Sequence, residues 1–398
     1  MRVAEAHAKL QAEVTPIALT QQVALAQALG RVLAQDIIAP FSIPPYNNAA
    51  MDGYALAFAD LKPEMPIAGR ITAGHPLTDP VKPGFAYRIF TGAEIPSGLD
   101  TVVIQEDCTE KDGQVLINNL PSERANLRPE GEDVQKGAIA LNKGCKLFPP
   151  QIALLAALGI SKLEVARPLR IGVFSTGDEL KEPGEALKPG QIYDTNRYAL
   201  IALVKNFGQD VKDLGILPDN LPIIKQALAQ AAKDCDLILT SGGVSDGDED
   251  HVKTAITSQG EISFWKLKIK PGKPIAFGRI NDTHIIGLPG NPVAAFLGFM
   301  LFVRPVIALK EGRNDLTPLS VPLISKDNFK KAKGRREFPR VVLRKEEAGL
   351  RAYFFRPEGS GIVSSLAHSQ GIADLGEEIE TIKPGDTLEV ILFKEGFS

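Results

Sequence analysis

Between Leu169 and about Lys310 the sequence alternates apolar β-branched runs with amphipathic segments, and no other feature restricts the fold as strongly. LRIGVFSTG, VKDLGILP, DLILTSGG, PIAFGRI and THIIGLPG read as strands. Leu200, Ile201, Leu203, Val204 and Phe207 recur at helical spacing after a cap at Thr195 or Asn196, and Gly208 closes that helix. LPIIKQALAQAAK is a second amphipathic helix, and HVKTAITSQG ends a third. Strands alternating with helices require right-handed crossovers and a mostly parallel sheet covered on both faces. ISFWKLKI reads as one further strand, with Lys266, Lys268 and Lys270 projecting from the same side.

The flanks have a different texture. The first 40 residues read as helical, with Val23, Leu25, Leu29 and Val32 on one face and Thr20 as cap. From Ile43 to about Ala140, Pro, Gly and short β-branched runs alternate, as in a small β domain. PQIALLAALGI is helical, and Arg167-Pro168 is a joint. Beyond Pro318, VPLI, RVVLR, RAYFF and DTLEVILF form a separate β domain. The expected divisions are 1–42 with 140–168 as a helical linking domain, 43–139 β-rich, 169–317 α/β, and 318–398 β. The fold class is α/β plus β and multi-domain: a central doubly wound, mostly parallel α/β domain, with a β-rich N-terminal domain and a β-barrel-like C-terminal one. A length of 398 residues accommodates this number of units.

Charge and cysteine usage narrow the function. Forty-five Lys and Arg against 48 Asp and Glu give a net −3, which argues against a nucleic-acid-binding surface. Cys108, Cys145 and Cys235 lie far apart without a CxxC pair, as expected for a reducing cytoplasm rather than a disulfide framework. MRVAEAHAKL has no apolar core of signal-peptide length, and VAAFLGFMLFV is too short for a membrane span, so it reads as a buried helix.

No phosphate-loop GxxxxGK[ST], GxGxxG, HExxH or GxSxG motif is present. The chemistry is expected at the carboxyl ends of the α/β strands, where STGDEL, TSGGVSDGDED and GLPGNP follow three of them. Asp246, Asp248, Glu249 and Asp250 crowd the second loop; they are either a solvated acidic run or ligands for a hard cation such as Mg²⁺. Asn291 and Pro292 open a helix that is either an ordinary cap or an anion-facing end. Lys266, Lys268, Lys270 and Lys273 either guard a sheet edge or compensate an anion. His251 reads as a surface histidine, and Asp52-Gly53 and GEDVQKG as turns.

In order, NNAAMDGYA, FTGAEIPSGLDTVV, LRPEGEDVQKG, STGDEL, GQIYDTN, TSGGVSDGDED, KPGKP, GLPGNPV and RREFPR resemble the molybdopterin molybdenumtransferases, the MoeA family that includes the gephyrin E domain. The resemblance spans nearly the whole chain. It implies a four-domain elongated homodimer that inserts molybdenum from molybdate into adenylylated molybdopterin and releases AMP, with Mg²⁺. Position by position it implies catalytic acids at Asp52, Asp133, Glu179, Asp219 and Asp250, and a metal- and phosphate-binding pair in Asp250 and Ser245. It further implies substrate or molybdate contacts at Lys270, Lys273, Pro274, Pro292, Arg340 and Ser365, with Lys266 added from the lysine alternation. The MDGYA segment is implied to reach the site from the partner subunit, and a molybdopterin adenylyltransferase to supply the substrate. Asp246, His251, Ala294 and Gln370 depart from the family's habit.

Three other readings share the α/β domain. A molybdopterin adenylyltransferase needs that domain alone, and a nicotinamide-mononucleotide amidohydrolase offers no MDGYA or REFPR match. A non-catalytic scaffold calls for an added interaction region that this sequence does not display.

Overall fold

The computed structural model describes residues 1–244, 251–313 and 315–393. The chain divides into two compact units: Met1–Gln21 with Gly30–Ala34 and Val165–Ser398, and Gln22–Leu29 with Gln35–Glu164.

Helix α1 (Val3–Glu13) opens the chain, with Val3, Ala6 and Leu10 buried at the spacing of one helix face. The Arg2 N–H donates to Glu5 Oε2 (3.0 Å), closing its first turn. The helix expected over TQQVALAQALGRVLA does not form. Thr20–Ala24 is a strand of alternating exposure, Leu25–Gln27 a single 3₁₀ turn, and Gly30 adopts φ +76°. Val23, Leu25, Leu29 and Val32 fit a helical face only if the backbone stays helical past Gly30, and a left-handed glycine interrupts it there.

The Gln35–Glu164 region holds strands β1 (Gly53–Leu56), β2 (Glu64–Ile71), β3 (Ala86–Ile89), β4 (Thr101–Ile104), β5 (Cys108–Lys111) and β6 (Gln114–Ile117). Their order across the sheet is β4-β1-β3-β2-β6-β5. Only β2 and β3 run parallel. Alternation along the strands sends Ala55, Ile71, Tyr87, Ile89 and Val102 to one apolar cluster and Tyr54, Met65, Ala86, Val103 and Val115 to another. Gly53 is required by contact: a Cβ there would lie 1.9 Å from the Val103 carbonyl oxygen. Helix α2 (Pro149–Ala157) begins on two prolines, as PQIALLAALGI predicts.

In the other unit the alternating segment folds as its periodicity dictates. Strands β7 (Arg170–Thr176), β8 (Asp210–Leu217), β9 (Leu237–Ser241), β10 (Glu261–Trp265), β11 (Ala276–Ile280) and β12 (Thr283–Leu288) form a sheet of order β8-β7-β9-β12-β11-β10. The first four are parallel; β11 runs antiparallel to β12, and the edge strand β10 antiparallel to β11. Helices α3 (Asn196–Asn206), α6 (Pro292–Gly298) and α7 (Arg304–Lys310) supply one buried cluster with Ile171, Leu239 and Ile286. Helices α4 (Leu221–Asp234) and α5 (His251–Thr257) supply the opposite one with Phe174, Ile238 and Ile285. The sheet is doubly wound. The most apolar 18-residue window of Pro292–Lys310 has a mean hydropathy of 2.0 and is 83% buried, as for a core helix.

ISFWKLKI is not one strand. It stops at Trp265, Lys266 takes φ 69°, and Ile269–Lys270 pairs instead with Arg336–Glu337. Phe264 and Leu267 are both buried three residues apart, which the alternation of a single strand does not allow, so the backbone turns at Lys266 and the three lysines do not share one strand face.

Strands β13 (Ser320–Ser325), β14 (Arg340–Glu346), β15 (Gly349–Phe354), β16 (Gly371–Ala373) and β17 (Thr387–Leu392) close a barrel in the order β13-β15-β14-β16-β17. Closure leaves no free edge. The three-residue β16 is too short to announce itself by periodicity.

Candidate active site

The loops that follow β7, β9 and β12 line one cavity of about 400 Å³, together with Asp219 after β8. Each edge is fixed by hydrogen bonds. Asn196 Nδ2 donates to Ser241 Oγ (2.7 Å) and to the Gly290 carbonyl (2.7 Å), joining α3 to the ends of β9 and β12. The Ser241 hydroxyl donates to the Pro289 carbonyl (3.2 Å). Gly242 and Gly243 take φ +92° and +67°; side chains there would collide with the Thr176 carbonyl at 2.6 Å and with Val252 at 2.5 Å. Glycine therefore lets the backbone itself form the wall.

Carboxylates dominate this cavity. Glu179, Asp194 and Asp219 line it. The Thr176 hydroxyl donates to Asp219 Oδ1, and the Asp219 N–H donates to Asp178 Oδ1 (3.2 Å). Asp194 is 2% exposed and accepts from the Ser175 hydroxyl (3.1 Å) and from Arg197 Nε (3.0 Å). Arg197 also reaches Asp213 and Glu182. Burial opposes its charge, but the hydrogen bonds to Asp213 and Asp194 outweigh that and raise its pKa.

A second cavity, of about 480 Å³, shares Pro274, Pro289 and Asn291 with the first. Its wall is basic: Lys270, Lys273, Arg335 and Arg340 against Glu337 and Glu358. Lys270 Nζ pairs with Glu337 Oε1 at 2.7 Å. Arg340 is 6% exposed, donates through Nε to Ser365 Oγ (3.0 Å) and through Nη2 to the Gly359 carbonyl (3.0 Å), and has no ion pair among the described residues. Burial lowers its pKa. A buried guanidinium without a counter-ion is a receptor for an oxyanion.

Of the residues singled out in the sequence, Glu179, Asp219, Pro274 and Pro292 meet at the first cavity, and Lys270, Lys273, Pro274 and Arg340 at the second. Ser365 is fully buried behind Arg340 and lines neither. Lys266 also lines neither; its ammonium stands 4.2 Å from the Trp265 ring centre. Asn291 occupies the cap position of α6 without a side-chain hydrogen bond. Asp52 and Asp133 belong to the other unit. Asp52 Oδ1 accepts from both the N–H (2.8 Å) and the hydroxyl (2.7 Å) of Thr91, which hold its pKa down. Asp133 is exposed. Ser245, Asp246, Asp248, Glu249 and Asp250 lie outside the described residues. Among those described, no three acidic, histidine or cysteine side chains converge on a metal position.

Thr91, Asp194, Asn196 and Glu337 lie inside FTGAEIP, GQIYDTN and RREFPR without being marked there as site residues, and only the fold reveals which side chain each one holds.

Comparison with known proteins gives consistent matches along the chain. Residues 1–159 match the MoeA N-terminal region (domains I and II), 172–309 a probable molybdopterin binding domain, and 322–393 the MoeA C-terminal region (domain IV). The molybdopterin molybdenumtransferase of Haemophilus influenzae is 40% identical, with 93% of each chain covered. Molybdopterin molybdenumtransferase 2 of Mycobacterium tuberculosis is 34% identical over 98% of this chain and 99% of its own. A crystal structure of the molybdopterin biosynthesis moeA protein from Pyrococcus horikoshii superposes with a TM-score of 0.87 at 32% identity, covering 99% of this chain and 100% of that one.

Proposed function

The chain belongs to the molybdopterin molybdenumtransferase (MoeA) family, and from that premise we propose that it inserts molybdenum from molybdate into the dithiolene of adenylylated molybdopterin, releasing AMP. The observation that carries the reading is the pair of abutting cavities, one walled by carboxylates and one by cations, separated only by Pro274, Pro289 and Asn291. A reaction that cleaves a phosphoanhydride and takes up a metal oxyanion needs both environments at one boundary.

Arg340, braced by Ser365 and Gly359, presents an uncompensated cation to molybdate, and Lys273 adds a second. The glycine wall at 242–243 and the Asn196 brace shape the pterin-nucleotide side. Asp219, fixed by Thr176, orients a proton acceptor toward the phosphoanhydride, and Glu179 faces the same space. Mg²⁺ binds through one or two carboxylates plus substrate phosphates, so Glu179 and Asp219 suit it, with Asp250 and Ser245 of the acidic loop as the further donors implied by family resemblance. When bound it supplies Lewis-acid polarisation of the phosphoanhydride. The active form is a cytoplasmic homodimer in which Asp52 of one subunit completes the site of the other, and a molybdopterin adenylyltransferase supplies the substrate.

Reconstitution tests the proposal. Purified chain, adenylylated molybdopterin, molybdate and Mg²⁺ are mixed with a molybdenum-free apoenzyme, whose activity should appear only when all four are present. If the chain instead consumes ATP and unadenylylated molybdopterin to make the adenylate, it is an adenylyltransferase. If neither reaction occurs, it is a scaffold.

A further inference from the structure

The unit that contains Asp52 carries a pair of adjacent positive charges, and beyond the Thr91 hydrogen bonds the charge of one of them, Arg88, helps hold the Asp52 pKa down. Arg70 on β2 and Arg88 on β3 are direct register partners in the one parallel pair of that sheet. Both guanidinium carbons stand over the Phe90 ring, at 4.4 and 4.7 Å from its centre. Arg88 donates to the Gly53 carbonyl (3.0 Å) and to Gln105 Oε1 (2.6 Å), and stands 5.2 Å from the Tyr54 ring centre. Arg70 is exposed. Neither arginine forms an ion pair among the described residues, whereas Arg167, Arg197, Arg313 and Arg336 each do.

Like charges side by side on a sheet repel each other. The shared ring offsets part of that cost through cation–π attraction, and it also holds both guanidinium planes in place. Planes held this way leave the Arg70 edge, and the Arg88 N–H groups not given to Gly53 and Gln105, for contact with a tetrahedral oxyanion. Thr91, next in sequence to Phe90, is the residue whose N–H and hydroxyl fix Asp52. The arginine pair and Asp52 are thus anchored to consecutive residues.

We propose that Arg70 and Arg88, braced on Phe90, form an oxyanion site of phosphate-monoester class beside Asp52. It adds a contact for the phosphate of the proposed substrate, and it rests on that reading only for the source of the anion. Free phosphate and molybdate share the tetrahedral oxyanion chemistry, so the test separates the sources.

The test is site-resolved arginine modification of the full-length protein with phenylglyoxal, read by mass spectrometry without turnover. AMP, inorganic phosphate, molybdate and adenosine are compared as protectants. Arg344, exposed and 4.7 Å from the Tyr353 ring centre but without a second arginine on that ring, serves as the internal control. AMP should slow Arg70 modification about tenfold and leave Arg344 unchanged, and adenosine should protect neither. The anion that protects at the lowest concentration identifies the source. Arg70→Gln should raise the AMP concentration needed to protect Arg88. Equal protection by adenosine and AMP, or none by any of the three anions, would overturn the site. Protection of Arg70 in a protein that fails to insert molybdenum removes the proposed function and leaves the anion site standing.

Discussion

Lys270 Nζ lies 2.7 Å from Glu337 Oε1, so a lysine assigned by its motif to an incoming anion already has a counter-ion. The Glu337 side chain is 8% exposed and that of Lys270 57%. Lysine replacement here therefore has two consequences, and Lys273 offers the contrast, since it forms no ion pair among the described residues. Lys270→Ala strands a mostly buried carboxylate and should lower unfolding stability by about 1 kcal/mol in urea titrations. Lys273→Ala should leave stability within about 0.5 kcal/mol while reducing molybdenum insertion. Adding Glu337→Gln to Lys270→Ala should restore stability without restoring insertion.

Thr91 controls Asp52 through two hydrogen bonds to one carboxylate oxygen. Thr91→Val removes the hydroxyl and lets the Asp52 pKa rise toward its ordinary value. If Asp52 acts as the carboxylate, the acid limb of the pH–rate profile should move up toward the ordinary carboxylate value, with insertion near neutral pH little changed. Thr91→Ser should behave like the unsubstituted protein. An unmoved acid limb in Thr91→Val would assign Thr91 to folding alone.

His284 gives a stability signal independent of the site. It stacks on Phe277 at 5.3 Å, its Nδ1 has no partner, and burial, with Lys310 and Arg279 adding to it, depresses its pKa to about 4 from 6.5. Between those values the unfolded chain binds a proton that the native chain refuses. This residue's contribution is therefore complete above pH 6.5 and is lost as pH falls toward 4. Unfolding free energy should drop between about pH 7 and about pH 5, with up to about 1 kcal/mol per pH unit from His284. His284→Phe should flatten that slope, leaving the smaller part due to His7, whose pKa is also lowered by burial.

The proposed composite site predicts complementation. Asp52→Ala and Asp219→Ala subunits should each be inactive as homodimers, whereas a mixed dimer should retain one site with neither change. Random reassociation should recover about a quarter of full activity, because half the dimers are mixed and each has one intact site. No recovery from dimers shown to be mixed would contradict the arrangement.

The α/β domain was legible because its strands are buried on both faces and its helices amphipathic, so each period speaks for itself. STGDEL and GLPGNP were placed at one cavity for the same reason: strand ends of a parallel sheet converge. Thr20–Ala24 was misread because too few apolar residues separate the two periods. The lysine row breaks because Phe264 and Leu267, both buried, are out of phase with a period of two, and the turn at Lys266 takes up the difference. Ser365 is fully buried and accepts a hydrogen bond from Arg340, a contact between residues 25 positions apart that no local pattern announces. Charge pairs such as Lys270 with Glu337 join segments 67 residues apart, and no local pattern encodes them.

In the proposed reaction AMP release and molybdenum insertion are one event. In a single turnover with enzyme in excess over adenylylated molybdopterin, AMP should be released only when molybdate is present, in equal amount to the molybdenum found in the pterin product. Release of AMP without molybdate, or molybdenum incorporation without AMP, would contradict it.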